Sequence, residues 1–180
     1  VVGDRTIEPG LETAALAGPE LTVIVGQQIH TSDGELVGLF LTDATADGRS
    51  AADTAADVHS QGGVVMVPHP VWGEPPTPQT LAQLRPELDC FEMVVGGAST
   101  MRGAITVENA RLAQRFGSAI TAGSGASSPE DIGSAHLRMR PFESASDFLV
   151  ALEDADPVQR RRGVRPRTQR ERRRPEEPSN

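Results

Sequence analysis

The chain has no lysine, and all 17 basic residues among its 180 are arginine. That absence excludes P-loop and Schiff-base chemistry, since each needs a lysine amine. Cys90 is the sole cysteine, which rules out an intrachain disulfide and a cysteine-based zinc cluster. Its place inside an apolar run reads as a small buried hydrophobe. Aromatic residues make up only 3% of the chain, so its arginine runs lack rings on which nucleic-acid bases would stack. No apolar stretch approaches the roughly 18 to 20 residues that span a bilayer. The first residues also lack the charged-then-apolar pattern of a secretory signal. The expectation is a cytoplasmic protein with no membrane partner.

What is present is an apolar fraction of 37% with 18 glycines and 14 prolines, enough for one α/β core. Charge is spread unevenly. Residues 157–180 carry nine arginines against three carboxylates, a net of +6, while residues 1–156 carry eight arginines against 22 carboxylates, a net of −14. Three regions follow: an irregular segment 1–19, an α/β domain 20–156, and an arginine-rich tail 157–180. The tail is too poor in apolar residues to offset its ordering entropy and is expected to be disordered. Its runs Arg160-Arg161-Arg162 and Arg172-Arg173-Arg174 suit weak, salt-sensitive contact with a polyanion.

The pattern along the chain alternates strands and helices. A helical turn is expected near Leu11 to Leu16 and a strand at Leu21 to Val25, followed by Gly26-Gln27-Gln28-Ile29-His30. Ser32-Asp33-Gly34 reads as a turn into a second strand, Leu36 to Leu41. Ser50 caps a helix from Ala51 to Ser60, and Gly62-Gly63 closes it. Then come the strand Val64-Val65-Met66-Val67, a helix near Thr80 to Leu84, a strand Cys90 to Val95, and a helix from Thr106 to Phe116. A strand Ala119 to Ala122 and a helix Ser146 to Leu152 complete it. Such alternation argues for a mainly parallel sheet or barrel with ligands at the strand ends. His69, delivered to the end of its strand and followed by Pro70, is the first candidate for a metal-ligating imidazole.

Read in order, the strand ends are Gly26-Gln27-Gln28-Ile29, Asp33-Gly34-Glu35 with the apolar run to Leu41, Gly62-Gly63, Pro68-His69-Pro70, Phe91-Glu92-Met93, Asn109 and Ala122-Gly123-Ser124. Over residues 20 to 152 this resembles the polymerase-and-histidinol-phosphatase (PHP) family of metal-dependent phosphoesterases. The resemblance implies a distorted (β/α) barrel of about seven strands, here lacking its N-terminal strands because the family's opening His-x-His is absent. It also implies clustered divalent metals (Mn²⁺, Mg²⁺ or Zn²⁺) that activate a water against a small phosphorylated molecule. By that resemblance His69 and Glu35 are the metal ligands. Gln28 stands at the position of a bridging glutamate, and Gly125 and Ser127 stand where the family carries Asp and His; all three become substrate-contact candidates.

Two functions follow: phosphomonoester hydrolysis at a depleted metal site, or a non-catalytic binding or regulatory module of the same fold. The loop Gly123-Ser124-Gly125-Ala126-Ser127-Ser128 offers a further device, since small residues with exposed backbone N–H groups can cradle an anion without a metal. Gly123 and Ser124 are its candidate contacts. Glu92 reads as a structural acceptor, His59 as a surface histidine, and Trp72, near the pocket mouth, as either a cover over a ligand or a packing residue. His30 and His136 match no family ligand.

Overall fold

The computed structural model describes residues 2–68, 74–95, 111, 113–126 and 128–159. In chain order these form β1 (Val2–Asp4), α1 (Glu8–Leu16), β2 (Val25–Thr31), β3 (Gly34–Leu39), α2 (Ala51–Ser60), β4 (Val64–Val67) and α3 (Pro78–Gln83). A 3₁₀ turn (Arg85–Glu87), β5 (Cys90–Val95) and β6 (Ala119–Gly123) follow. A second 3₁₀ turn (Pro129–Asp131), β7 (Ala135–Arg138), α4 (Ala145–Glu153) and β8 (Asp156–Gln159) complete the described chain.

Local chemistry sets these bounds. The Ser50 hydroxyl accepts from the Asp53 backbone N–H and so satisfies one of the free donors of α2. Ser144 caps α4 in the same way through Asp147. Between β2 and β3 the chain has only Ser32 and Asp33 to turn on, and so short a link permits antiparallel pairing alone. Gly34 ends that turn at φ +125°. A Cβ there would lie 2.6 Å from the Pro76 nitrogen and 2.8 Å from the Glu74 carbonyl oxygen, so the proline-rich loop packs directly on the turn.

Six strands form one sheet in the order β1-β2-β3-β4-β5-β6. β3 is antiparallel to both neighbours, whereas β1 pairs parallel with β2, β4 with β5, and β5 with β6. Five of the six strands therefore run the same way, and their C-terminal ends share one edge. β7 and β8 form a separate antiparallel pair.

This corrects the barrel expected from the sequence. The sheet is open and mixed, with β1 and β6 at its two edges among the described residues. The reason lies in the Ser32-Asp33 link, which turns β3 against its neighbours and breaks the all-parallel β/α repeat that a (β/α) barrel requires.

Each face of the sheet has its own core. Ile29, Leu36, Val65, Val67 and Phe91 pack with Ala51, Ala55 and Val58 of α2 on one side. Leu39, Val64 and Cys90 pack with Phe148 and Leu152 of α4 on the other. β4 is buried on both faces, as its unbroken apolar sequence requires. Phe148 also meets the rings of Phe40 and Phe142 at 5.3 and 5.1 Å between centroids, sealing the second core.

Candidate functional site

In open α/β sheets ligands bind outside the carboxyl ends of the strands. Gln28, His30, Glu35 and Glu92 lie at that edge. Alternation on β2 puts Gln28 and His30 on one face, and the register pairs His30 with Glu35 and Gln28 with Val37. Glu35 on β3 thus lies directly across from His30 and diagonally from Gln28. Its Oε1 is 2.7 Å from His30 Nδ1, and its Oε2 accepts from Gln28 Nε2 at 2.9 Å. The Glu35 backbone N–H donates to the Glu74 carbonyl at 2.8 Å, and the His30 N–H donates to Asp47 Oδ1 at 3.0 Å. Glu35 is buried, while His30 stays partly open to solvent. A neutral His30 that donates through Nδ1 presents Nε2 outward as an acceptor.

Two strands away, Glu92 lies against the end of β6. A Cβ on Gly123 would fall 2.5 Å from Glu92 Oε1, so the carboxylate rests across a bare glycine backbone. Thr121, beside Glu92 in the register, donates to the Phe91 carbonyl at 3.3 Å. Carrying the β3–β4 register two steps further and the β4–β5 register one step further sets Glu35 and Glu92 on either side of Pro68, about 10 Å apart by the ordinary strand spacing. The edge therefore gathers a carboxylate and an imidazole nitrogen of acceptor character, Glu92 and His30, beside the internally bonded Glu35.

Of the residues singled out from sequence, Gln28 and Glu35 come together, and Gly123 joins Glu92. Gly125 sits in the loop after β6 at φ +52°. The Ser124 hydroxyl accepts from the Gly133 backbone N–H at 3.2 Å, which ties the loop to the approach of β7. His69, Trp72, Asn109 and Ser127 lie outside the described residues. His30, given no role from sequence, is the residue that reading missed. The signal was present: Gln28 and His30 alternate on one strand, and a two-residue turn fixes His30 opposite Glu35.

Two other titratable residues have settled structural roles. His59 is not a plain surface histidine, since its Nε2 is 2.9 Å from Asp89 Oδ2 and its Nδ1 is 3.3 Å from Glu87 Oε2. It ties the end of α2 to the entry of β5. Cys90 is fully buried, and that burial, with the nearby Asp89 and Glu92 carboxylates adding to it, pushes its thiol pKa well up.

No family model matches the chain. An uncharacterized protein of Methanocaldococcus jannaschii (MJ1587) is 35% identical over 71 residues, which cover 39% of this chain and 42% of that protein. Among solved structures, PsfC from Pseudomonas syringae PB-5123 is similar with a TM-score of 0.53 and 15% identity, covering 75% of this chain and 58% of that one. That likeness concerns the fold alone. The chain spans about half the length of both.

These findings overturn the PHP resemblance, which rested on the order of short motifs: no family model supports it, and the open mixed sheet is not the fold it implies. The metal-binding and hydrolase readings fall with it. Among the described residues no group of three or more His, Cys, Asp or Glu side chains could hold a metal ion. Glu35 has Gln28 Nε2 at 2.9 Å from one oxygen and His30 Nδ1 at 2.7 Å from the other. Among the described residues, no helix is long and apolar enough to cross a membrane.

Proposed function

We propose that this domain is a non-catalytic binding module that receives a small hydroxyl-bearing molecule at the C-terminal edge of its sheet. The observation that carries the reading is the buried Glu35 carboxylate, held by a side-chain partner at each oxygen. Its two oxygens are taken by Gln28 and His30, so the group is an oriented structural anion rather than a cation ligand. Groups of acceptor character at this edge, His30 Nε2 and the Glu92 carboxylate, suit hydroxyl donors of a ligand. A sugar phosphate is the class that uses both these acceptors and the backbone N–H groups of loop 123–126. The module works in the cytoplasm, in keeping with its single buried thiol.

The test is a titration of the ¹⁵N-labelled chain with ribose 5-phosphate, with ribose and inorganic phosphate as controls. Saturable shifts at His30, Glu35 and Glu92 with the ribose 5-phosphate left unchanged support the reading. Release of inorganic phosphate from the ligand, or shifts with phosphate alone and none with ribose 5-phosphate, overturns it.

A further inference from the structure

A second feature lies at the opposite edge of the sheet, independent of the proposed ligand site. A cleft of about 530 Å³ opens between the N-terminal ends of β5 and β6 and the last turns of α4. Asp89, Ser118, Ile120, Leu149, Val150 and Glu153 line it. It has an apolar wall and an acidic rim.

The rim is electrostatically unfinished. α4 ends in the cleft with no basic residue in its last turn, and Glu153 adds a carboxylate to the negative end of the helix dipole. The Glu153 side chain has no hydrogen bond or ion pair among the described residues. Asp89 uses Oδ2 for His59 and the Val65 N–H, while its Oδ1 has no partner among the described residues. A planar guanidinium satisfies carboxylates of this kind, and its methylene stem lies well on an apolar wall.

The chain supplies that group. Residues 1–156 carry a net charge of −14 and residues 157–180 a net of +6, all of the tail's cations being arginine. Six residues separate Glu153 from the end of β8 at Gln159, a path of at most about 21 Å. A return of similar length reaches the cleft by about Arg165, leaving Arg167, Arg170 and Arg172 to Arg174 within range.

We propose that this cleft is the docking site of the chain's own arginine-rich segment, residues 160–180, bound within the same molecule. Arginine side chains fill it from the α4 end, with the guanidinium at Glu153 and Asp89 and the stem on Ile120, Leu149 and Val150. A polyanion that binds the segment must then compete with the cleft.

The experiment compares amide spectra of the full chain with those of a full-length variant in which all nine arginines after Pro157 are glutamine. The expected result is a difference centred on Ser118, Ile120, Val150 and Glu153, abolished by about 0.5 M NaCl and unchanged on dilution. Glu153→Gln in the otherwise unaltered chain moves the same amides part of the way. Absence of a difference at these four residues, or a difference centred elsewhere on the body, overturns the proposal. A difference that disappears on dilution also overturns it, because the occupant is then the segment of a second copy.

Discussion

His30 and Glu35 face each other across the β2–β3 hairpin, with His30 Nδ1 2.7 Å from Glu35 Oε1. The pair joins a partly open imidazole to a buried carboxylate whose other oxygen is held by Gln28 at 2.9 Å. Removing the imidazole leaves that carboxylate with one side-chain donor in a site poorly reached by water. His30→Ala is expected to destabilise the domain by about 1 to 3 kcal/mol, the range for loss of a charge-assisted hydrogen bond to a buried group. Urea unfolding of His30→Ala, Glu35→Gln and the double variant measures it. Additive effects of the two substitutions would mean that the residues are not energetically coupled.

Gly34 and Gly62 separate strain from contact. Both have positive φ, +125° and +74°, but a Cβ on Gly34 would meet backbone atoms of the 74–76 loop within 2.8 Å, whereas at Gly62 it meets nothing within 4 Å. Gly62→Ala is expected to cost about 1 kcal/mol from conformation alone. Gly34→Ala is expected to cost at least twice that, about 2 to 4 kcal/mol, because backbone cannot swing aside as a side-chain end can. Equal losses in the two variants would show that the proline-rich loop does not press on the turn.

Burial above all, with the carboxylates of Asp89 and Glu92 in addition, raises the Cys90 pKa. The folded protein therefore holds this proton more tightly than the unfolded chain does. The stability it contributes is complete below the unfolded thiol pKa of about 8.5 and is lost as pH rises above that, by up to about 1.4 kcal/mol per pH unit. The sequence makes the effect clean, since it has no lysine and no tyrosine to titrate in the same range. Cys90→Ala should flatten the fall of the unfolding midpoint between about pH 8.5 and pH 10. The native thiol should also resist a disulfide reagent until the protein unfolds. A fall of the same steepness in Cys90→Ala would assign the alkaline loss to another group.

How much of this was legible in the sequence depends on where local signals agreed with tertiary ones. The helix 51–60 with its Ser50 cap and the strand Cys90–Val95 fell within the bounds the sequence implies. Cap, glycine stop and β-rich run there all point the same way. The strand expected at Leu21 to Val25 lies instead at Val25–Thr31. Gln27 hid it: this buried polar residue breaks the apolar pattern, and only the fold reveals its partners, the Thr45 N–H at 2.9 Å and the Thr45 carbonyl at 2.8 Å. β8 was read as the start of the tail, because the charged and proline-bearing Asp156-Pro157 conceals a strand whose partner lies well back in the chain at Ala135–Arg138. The same short Ser32-Asp33 turn that was legible as a hairpin carried the antiparallel β3 that rules out a barrel, and its consequence for His30 is a register effect no motif displays.

Gly123 offers the sharpest division between stability and ligand recognition. A methyl group there would stand 2.5 Å from Glu92 Oε1, and the next atom beyond that oxygen is the Glu92 carboxyl carbon at 3.8 Å. The clash is thus with the far end of a flexible side chain alone, and the carboxylate can rotate away at small cost. Gly123→Ala is expected to shift stability by less than about 1 kcal/mol. The displaced carboxylate no longer lies over the strand end, however, so a ligand that donates a hydroxyl to it loses that contact. Affinity for a sugar phosphate is expected to fall about tenfold, which corresponds to about 1.4 kcal/mol. Unfolding midpoints and titrations on the same preparation check both halves. A large loss of stability would mean that Glu92 is a fixed structural acceptor, and unchanged affinity in a stable variant would remove Glu92 from the binding edge.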